Sequence, residues 1–408
     1  YLIIIILILV LDFVGSQYLS YRNRKRMSPD IPQQLKGIYN EEDYARQQEY
    51  QKTNSRFGMY SSLFSFVIMM LVLLFGAFGW LDELLRNYIS NGILLTLAFF
   101  GIIYVINEII TLPFDYYSTF VIEERFGFNK STKTTFWLDQ LKGMIITVVI
   151  GGAILALIVW VYGTLGEYAW LYAWGAITAF SLFMTLFYSN IIVPMFNKQT
   201  PLEEGELRNA IKAFGNKAGF GINNIYVMDA SKRSSKANAY FTGFGAKKRI
   251  VLFDTLINDL NTEEIVAVLA HEIGHYKKKH TIQGIIQSVC FTGVMLFLLS
   301  WFLDNREIAE ALGGKEPSFH LGMIAFSILF TPISVITGIF SSMLSRKNEY
   351  QADAYAAHFG LAKPLIDGLK KLSVKSLSNL NPDPLFVFFH YSHPTLLQRI
   401  DALSKDRK

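Results

Sequence analysis

The sequence predicts an all-α polytopic membrane protein with seven transmembrane helices and a small cytoplasmic α+β segment. Hydrophobic residues make up 51% of the 408 residues, a share that soluble chains of this length rarely reach. Seven stretches of about 20 mostly apolar residues are each long enough to cross a bilayer. They are residues 1–19, 59–80, 92–111, 144–162, 169–193, 282–303 and 321–343. No small-residue cleavage site follows the first stretch, so it is interpreted as a span and not as a signal peptide.

The distribution of basic residues supports seven spans and predicts their orientation. Of the 38 Lys and Arg residues, 34 fall in the segments 20–58, 112–141, 194–281 and 344–408. The alternate connections hold only three, and they are 81–91, 163–168 and 304–320. By the positive-inside rule the basic segments face the cytoplasm, which puts the N-terminus outside and the C-terminus inside. The modest net charge of +5 does not indicate a nucleic-acid partner.

The longest polar segment, residues 194–281, has the pattern of a small α+β unit. An amphipathic helix is predicted over 203–220, and short β-rich runs over 224–228 and 249–253. Asn261 then precedes Glu264 by three residues, which is typical of a capping box at the start of a helix. The single cysteine, Cys290, excludes an intrachain disulfide and a cysteine-rich metal site.

The helix after this cap carries the motif His271-Glu272-Ile273-Gly274-His275. Residues four apart share one helix face, so both imidazoles can reach one metal ion. Glu272 projects beside them, where it can take a proton from a metal-activated water as a general base. His280 is not at ligand spacing and is interpreted as an interfacial residue beside three lysines.

A catalytic zinc site has three protein ligands and one open position, so a third ligand is expected from another helix. Glu349 and Asp353, again four residues apart, are the best candidates. Glu349 is predicted to complete the site with one Zn²⁺ per chain. Asp353 is predicted to accept the free N–H of a ligating histidine. The alternative is a helix that carries these charges in solvent just beyond a membrane span.

Three further residues are candidates for contacts with the substrate. His393 and Arg399, near the C-terminus, could stabilise the oxyanion of a tetrahedral intermediate. Asn238 begins a stretch before the run 249–253 that could bind a peptide backbone by strand addition, or form an ordinary hairpin turn. Four parts of the chain follow from these assignments. They are spans one to five (1–193), the metallopeptidase segment (194–281), spans six and seven (282–343) and a cytoplasmic segment that completes the active site (344–408).

Taken together, these motifs resemble the type I CAAX endopeptidases, the CAAX prenyl protease 1 family. The resemblance covers nearly the whole chain in order, and includes the segments 112–114, 120–124 and 127–130, which are unrelated to generic zinc motifs. It implies a seven-helix barrel around a large water-filled chamber, with the zinc site at its cytoplasmic or nuclear end. It also implies removal of the last three residues from prenylated C-a-a-X proteins. The resemblance implies His271, His275 and Glu349 as zinc ligands and Glu272 as the base. It implies that Asn238, His393 and Arg399 line the site, and that Asp353 supports a ligating histidine.

The expected partners are a peptide or prenylated-protein C-terminus and the lipid bilayer, with the protein a monomer. The expected location is the endoplasmic reticulum and inner nuclear membranes in a eukaryote, or the inner membrane in a bacterium, with the active site on the cytoplasmic side. The chain is short for a eukaryotic member, and residues 404–408 carry no retrieval motif, which favours a bacterial homologue. Because most bacteria lack protein prenylation, general quality control of membrane proteins is the alternative function.

Three other classes of protein were considered. A site-2-type intramembrane protease carries its motif inside a span, whereas here three lysines follow the motif at once, and residues 381–384 are a turn outside any span. An HtpX-like quality-control peptidase has fewer spans. A polytopic transporter or scaffold with a vestigial metal site is the non-enzymatic alternative, although the predicted spans carry few charges. The absence of zinc from the purified protein would favour this last class.

Overall fold

The structure is a computed structural model that describes residues 1–221, 224–242, 249–303 and 305–405. Its helices are α1 (Leu2–Lys25), α2 (Glu41–Leu74), α3 (Ala77–Arg86), α4 (Gly92–Tyr117), α5 (Lys133–Ile146), α6 (Gly152–Thr164), α7 (Ala169–Ile191), α8 (Val193–Phe196), α9 (Glu206–Lys217), α10 (Asp254–Asp259), α11 (Thr262–Lys277), α12 (His280–Ser300), α13 (Arg306–Ala311), α14 (Phe319–Leu329), α15 (Thr331–His358), α16 (Ala362–Lys375), α17 (Pro384–His390) and α18 (Leu396–Lys405). Its strands are β1 (Gln199–Pro201), β2 (Ile225–Met228), β3 (Ala239–Thr242) and β4 (Arg249–Phe253). Single π-helical stretches, Ser118–Glu123 and Thr147–Gly151, follow α4 and α5 directly.

Among the described residues, six helical segments are long and apolar enough to cross a membrane, and the bent pair α14–α15, taken as one span, makes a seventh. The six are Leu2–Lys25, Glu41–Leu74, Gly92–Glu123, Lys133–Thr164, Gly166–Phe196 and His280–Ser300. This arrangement confirms the predicted polytopic fold with about seven spans. The predicted seventh span over 321–343 is bent, because α14 and α15 meet at an angle of 53° within it. Pro332 lies at the start of α15. It has no N–H to donate to the preceding turn, and its ring would clash with that turn if the helix continued straight.

Contacts between the connections divide the molecule into two ends, as the basic residues predicted. At one end, Lys236 pairs with Glu123 at 2.8 Å, and Tyr50 donates to the same carboxylate at 2.6 Å. Arg22, at the end of α1, likewise pairs with Asp383 at 3.1 Å. At the other end the sparsely basic connections meet each other, where Lys315 pairs with Glu83 at 2.9 Å and Arg86 pairs with Glu316 at 3.4 Å. The basic segments therefore lie together on one side of the spans.

The four strands form a mixed sheet in the order β1-β2-β4-β3 at the basic end of the spans. β2 and β4, the two strands that the sequence predicts, pair in parallel, and the outer strands are antiparallel to their neighbours. β3 lies at the sheet edge and begins directly after Asn238, so this stretch forms a strand. Residues 243–248 of the connection between β3 and β4 lie outside the described residues.

The sheet supports α11, the helix that carries the His271–His275 motif. The predicted capping box is present, since Asn261 Oδ1 accepts from the backbone of Glu264 and Glu264 accepts from the backbone of Asn261. Apolar residues of α11 are fully buried in the largest core cluster, where α9, α16 and the sheet surround them. Because α11 is enclosed on several sides, the direction of its histidines is fixed by packing as well as by the helix itself.

Gly274 brings α11 and α15 into backbone contact one residue before His275. A Cβ atom at this position would lie 3.0 Å from Ala352 Cα and 3.2 Å from the Ala352 carbonyl oxygen. These are backbone atoms of the helix that also carries Glu349, so they cannot give way without moving that helix. Glycine at position 274 therefore sets the separation between the two helices of the motif.

We expect Gly274→Val to force α15 away from α11 and to lengthen the distances between Glu349 and the two histidines. Overpacking at such a contact costs about 1–3 kcal/mol. Thermal unfolding of the detergent-solubilised protein and its zinc content measure the two effects. The matched control is Gly338→Val on α15, where an added Cβ meets no atom within 4 Å. Unchanged zinc content and melting temperature in Gly274→Val would contradict this account of the helix contact.

Candidate active site

Three side chains from two helices converge at the end of the spans where the basic segments lie. His271 Nε2 lies 3.1 Å from His275 Nε2 and 3.5 Å from Glu349 Oε2. His275 Nε2 lies 3.3 Å from Glu349 Oε1. No other cluster of three His, Cys, Asp or Glu side chains within the described ranges has the spacing of a metal site. The convergence that the sequence predicts from separate helices is therefore present.

These distances fit a tetrahedral zinc site. Zinc bonds to nitrogen and oxygen are about 2.0–2.1 Å long, so neighbouring ligand atoms of a tetrahedron lie about 3.3–3.4 Å apart. The three measured separations of 3.1, 3.3 and 3.5 Å bracket that value. In the part of the chain that the structure describes, Glu349 Oε2 is also buried without a hydrogen-bond partner, an arrangement that is costly unless a cation satisfies the oxygen. The donor set thus fits a divalent metal, with zinc favoured by two imidazoles and one carboxylate.

Asp353 and Arg399 form a buried network behind His271. Asp353 Oδ1 lies 2.8 Å from His271 Nδ1, which leaves Nε2 free to face the other ligands. Arg399 donates to both oxygens of Asp353, at 2.6 and 2.8 Å. Burial alone lowers the pKa of His271, but its hydrogen bond with Asp353 and its contact with the Glu349 carboxylate outweigh this effect and raise the pKa to about 9. The pocket therefore favours positive charge at these nitrogen atoms, which a divalent cation supplies.

Glu272 lies beside the ligands and lines a cavity of about 390 Å³ between α11, α12 and α15. Its neighbours on the cavity wall include His275 and several amide and hydroxyl side chains, which are Gln283, Gln287, Ser341, Ser345 and Asn348. Burial raises the pKa of Glu272, whereas the nearby histidines lower it. A carboxylate with this environment, next to space for a water and a peptide, has the placement of a general base.

The remaining predicted residues take different positions. His393 Nε2 lies 3.3 Å from Glu349 Oε1 while most of the imidazole is exposed, so it stands at the open side of the ligand cluster. Arg399 is buried and committed to Asp353, with Nη1 at 3.7 Å from Glu349 Oε2. Asn238 is exposed at the start of β3, and its side chain accepts from the backbone of Ala239 at 2.9 Å.

One residue of the site was misinterpreted from the sequence. His280 is buried, and its Nδ1 lies 3.0 Å from His275 Nδ1, so the interpretation of His280 as an interfacial residue is wrong. On a continuous helix, residues five apart lie about 140° from each other around the axis. The contact arises because α11 ends at Lys277 and α12 begins at His280 in a new direction. No periodic signal in the sequence indicates this contact.

Comparison with known families divides the chain into two matches that together cover nearly all of it. Residues 20–198 match the family described as CAAX prenyl protease N-terminal, five membrane helices. Residues 201–407 match peptidase family M48, and these residues contain all three predicted metal ligands. The first match agrees with five spans before residue 198, and the second with a peptidase site built on α11 and α15.

Individual relatives match over nearly their full length. A CAAX prenyl protease 1 homolog from Oryza sativa is 35% identical over 99% of this chain and 97% of the relative. CAAX prenyl protease 1 from Saccharomyces cerevisiae is 34% identical over 97% of this chain and 93% of the relative. The crystal structure of Ste24p from S. mikatae superposes with a TM-score of 0.94 at 33% identity, and covers 98% of each chain. The chain is thus a multi-pass integral membrane metallopeptidase that belongs to the CAAX prenyl protease 1 family.

Proposed function

We propose that this metallopeptidase holds one zinc ion per chain and removes the last three residues of prenylated C-a-a-X proteins. The observation that carries the proposal is the convergence of His271, His275 and Glu349 beside Glu272 in a membrane chain of this family. The names of the relatives supply the substrate class, because CAAX prenyl proteases are named for such C-termini. The protein is proposed to act as a monomer.

The catalytic role of Glu272 follows from its position next to the ligands and the cavity. His271, His275 and Glu349 would hold the zinc ion, which would supply a water of lowered pKa. Glu272 would accept a proton from the attacking water and then deliver it to the leaving amine. These two proton transfers need no second acid or base. Besides Glu272, the cavity is lined by His275, Tyr276, His280 and amide, hydroxyl and apolar side chains.

Of His393 and Arg399, His393 is the better candidate for contact with the oxyanion. It stands within 3.3 Å of the Glu349 carboxylate, and its exposed ring can turn toward a bound carbonyl. Arg399, by contrast, uses Nε and Nη2 on Asp353. We therefore assign Arg399 to neutralising the buried carboxylates of Asp353 and Glu349, which keeps the ligand cluster in place.

The free edge of β3 is proposed to bind the substrate backbone. β3 pairs with β4 on one side, and its other edge has no strand partner among the described residues. Phe241 of β3 packs on Tyr276 of α11 and lines the cavity that contains Glu272. A peptide added to this edge by strand pairing would run past Glu272, with Asn238 at the start of the edge.

The orientation and the chamber are also proposals. The positive-inside rule places the active site on the cytoplasmic side, in the endoplasmic reticulum and inner nuclear membranes of a eukaryote or the inner membrane of a bacterium. In the most apolar window of each of the six unbroken spans, only 6% to 17% of residues are buried inside the protein. Such loose lateral packing supports a barrel around an internal chamber. We also propose to divide the chain after residues 193, 281 and 343. The first and third segments hold the spans, the second holds the His271–His275 motif, and the fourth holds Glu349.

The decisive test compares two versions of one peptide that ends in a C-a-a-X sequence. The purified protein is incubated with the farnesylated and the unmodified peptide, and the products are mapped by mass spectrometry. We expect the farnesylated peptide to have the higher kcat/KM and to lose its last three residues in one cut. A parallel reaction with a zinc chelator identifies cleavage by a contaminating protease.

Two outcomes would count against this function. Equal cleavage of both peptides would overturn the prenyl requirement and favour general proteolysis of membrane proteins. Cleavage at scattered positions that persists in the chelator would show that the observed activity does not come from the site on α11 and α15.

A further inference from the structure

The backbone between α11 and α12 directs His280 back toward the metal ligands. α11 ends at Lys277, and Lys279 then adopts a left-handed conformation with φ 61° and ψ 28° before α12 begins at His280. This conformation is strained for a residue with a Cβ atom, so the surrounding structure must compensate for it. The turn changes the chain direction within two residues. It thereby brings the first side chain of α12 against the last histidine of the motif.

His280 links His275 to Gln351 through two hydrogen bonds. His280 Nδ1 lies 3.0 Å from His275 Nδ1, and His280 Nε2 lies 2.9 Å from Gln351 Oε1. Gln351 belongs to α15, the helix that supplies Glu349. His280 therefore lies between the two helices that hold the metal ligands, with one ring nitrogen directed at each.

The protons in this chain can be assigned from its ends. The carbonyl oxygen of Gln351 only accepts, so His280 Nε2 carries a proton and His280 Nδ1, on a neutral ring, is an acceptor. His275 Nδ1 must then carry the proton that it donates to His280. In a neutral imidazole this leaves His275 Nε2 with a free lone pair, and Nε2 is the atom that faces His271 and Glu349.

We propose that His280, itself oriented by Gln351, is the positioning residue that fixes the tautomer and ring direction of the zinc ligand His275. It is the counterpart of Asp353, whose carboxylate holds His271 Nδ1 in the same way. The inference deepens the proposed function and rests on His275 being a zinc ligand. The two histidines of the motif thus have different partners, a carboxylate for the buried His271 and a neutral imidazole for the more exposed His275.

The geometry does not fit His280 as a further zinc ligand. Its Nδ1 faces the side of the His275 ring opposite to Nε2, and its own Nε2 is held by Gln351. Packing alone is also insufficient to explain the arrangement, because both ring nitrogens of a buried histidine meet a partner of the matching kind. The acceptor atom at the Nδ1 position is therefore the feature to test.

The test measures how fast zinc leaves the purified protein in an excess of a chromogenic chelator, without any substrate. His280→Phe keeps the ring but removes the acceptor, and we expect release about 10 to 100 times faster than in the wild type. His280→Asn places an amide oxygen near the position of Nδ1, so it is expected to restore most of the retention. His358→Phe, at an exposed position on α15, is the matched control.

The outcomes separate this inference from the proposed function. A wild-type protein without zinc would overturn the proposed function itself. Zinc in the wild type, with unchanged release in His280→Phe, would overturn only the role of His280. Equal acceleration in His280→Phe and His280→Asn would also overturn it, because ring shape and not the acceptor would then matter. Should His280→Phe not accumulate, Gln351→Leu decides, since faster release supports the chain of hydrogen bonds and unchanged release contradicts it.

Discussion

Glu272→Gln is expected to reduce peptide cleavage by about 10² to 10⁴-fold while zinc content stays at the wild-type level. The amide occupies the same volume beside the ligands but cannot accept a proton from the attacking water. Because the amide fills the same space in the cavity, no packing is lost. The melting temperature is therefore expected to stay close to that of the wild type. Single-turnover cleavage, zinc analysis and thermal unfolding measure the three effects.

The control for this variant is Glu263→Gln, an exposed position on the same helix. It removes one negative charge from α11 without touching the cavity. A Glu272→Gln enzyme that cleaves at the wild-type rate would remove Glu272 from the mechanism. A variant that loses its zinc as well would show that the side chain holds the ligand cluster together, and the assignment as general base would not stand.

Glu349→Gln is expected to lose both zinc and activity. The carboxylate is the ligand that we propose on α15, and it lies 3.3 Å and 3.5 Å from the two histidine nitrogens. The amide keeps the size of the side chain but supplies a weaker, neutral oxygen ligand. Two imidazoles remain, one fewer than the three protein ligands of a catalytic zinc site. Residual activity below the detection limit and a substoichiometric zinc content are the expected results, measured by peptide cleavage and by elemental analysis.

The same substitution has an electrostatic consequence. Glu349 offsets the positive charge of Arg399, which lies 3.7 Å away, together with the charge of the cation. Without it, Asp353 is the only carboxylate in contact with Arg399 among the described residues. Added zinc in large excess is therefore not expected to restore the wild-type rate. Full recovery with added zinc would contradict the role of Glu349 as a direct ligand.

Much of this molecule could be predicted from the sequence, because the relevant signals are local or repeat along the chain. Membrane spans are recognised by their length and hydropathy. The alternation of basic and non-basic connections supports the number of spans. The motif from His271 to His275 needs only the geometry of one helix, and the Asn261–Glu264 cap needs only four residues. Glu349 and Asp353 could be predicted because they lie four residues apart on one helix face. Glu349 joins the cluster with the two histidines, and Asp353 contacts His271.

The features that escaped the sequence depend on where the chain changes direction. His280 contacts His275 only because Lys279 adopts a positive φ, and nothing in the spacing of the two histidines indicates a turn there. The break before Pro332 was overlooked because the apolar run continues across it, and hydropathy does not register a bend. Arg399 was expected to face the substrate, and its buried pairing with Asp353 depends on how the C-terminal helix packs on α15.

The continuity of α15 has a mechanical consequence for the metal centre. This helix runs unbroken from Thr331, beside the kink, to His358, so Glu349 is rigidly joined to the membrane-embedded half of the seventh span. His275 is joined through a short turn to α12, the sixth span. A cation held by these side chains would therefore cross-link two transmembrane helices. Any relative tilt of those helices changes the ligand distances directly, and the free energy of metal binding in turn resists the tilt.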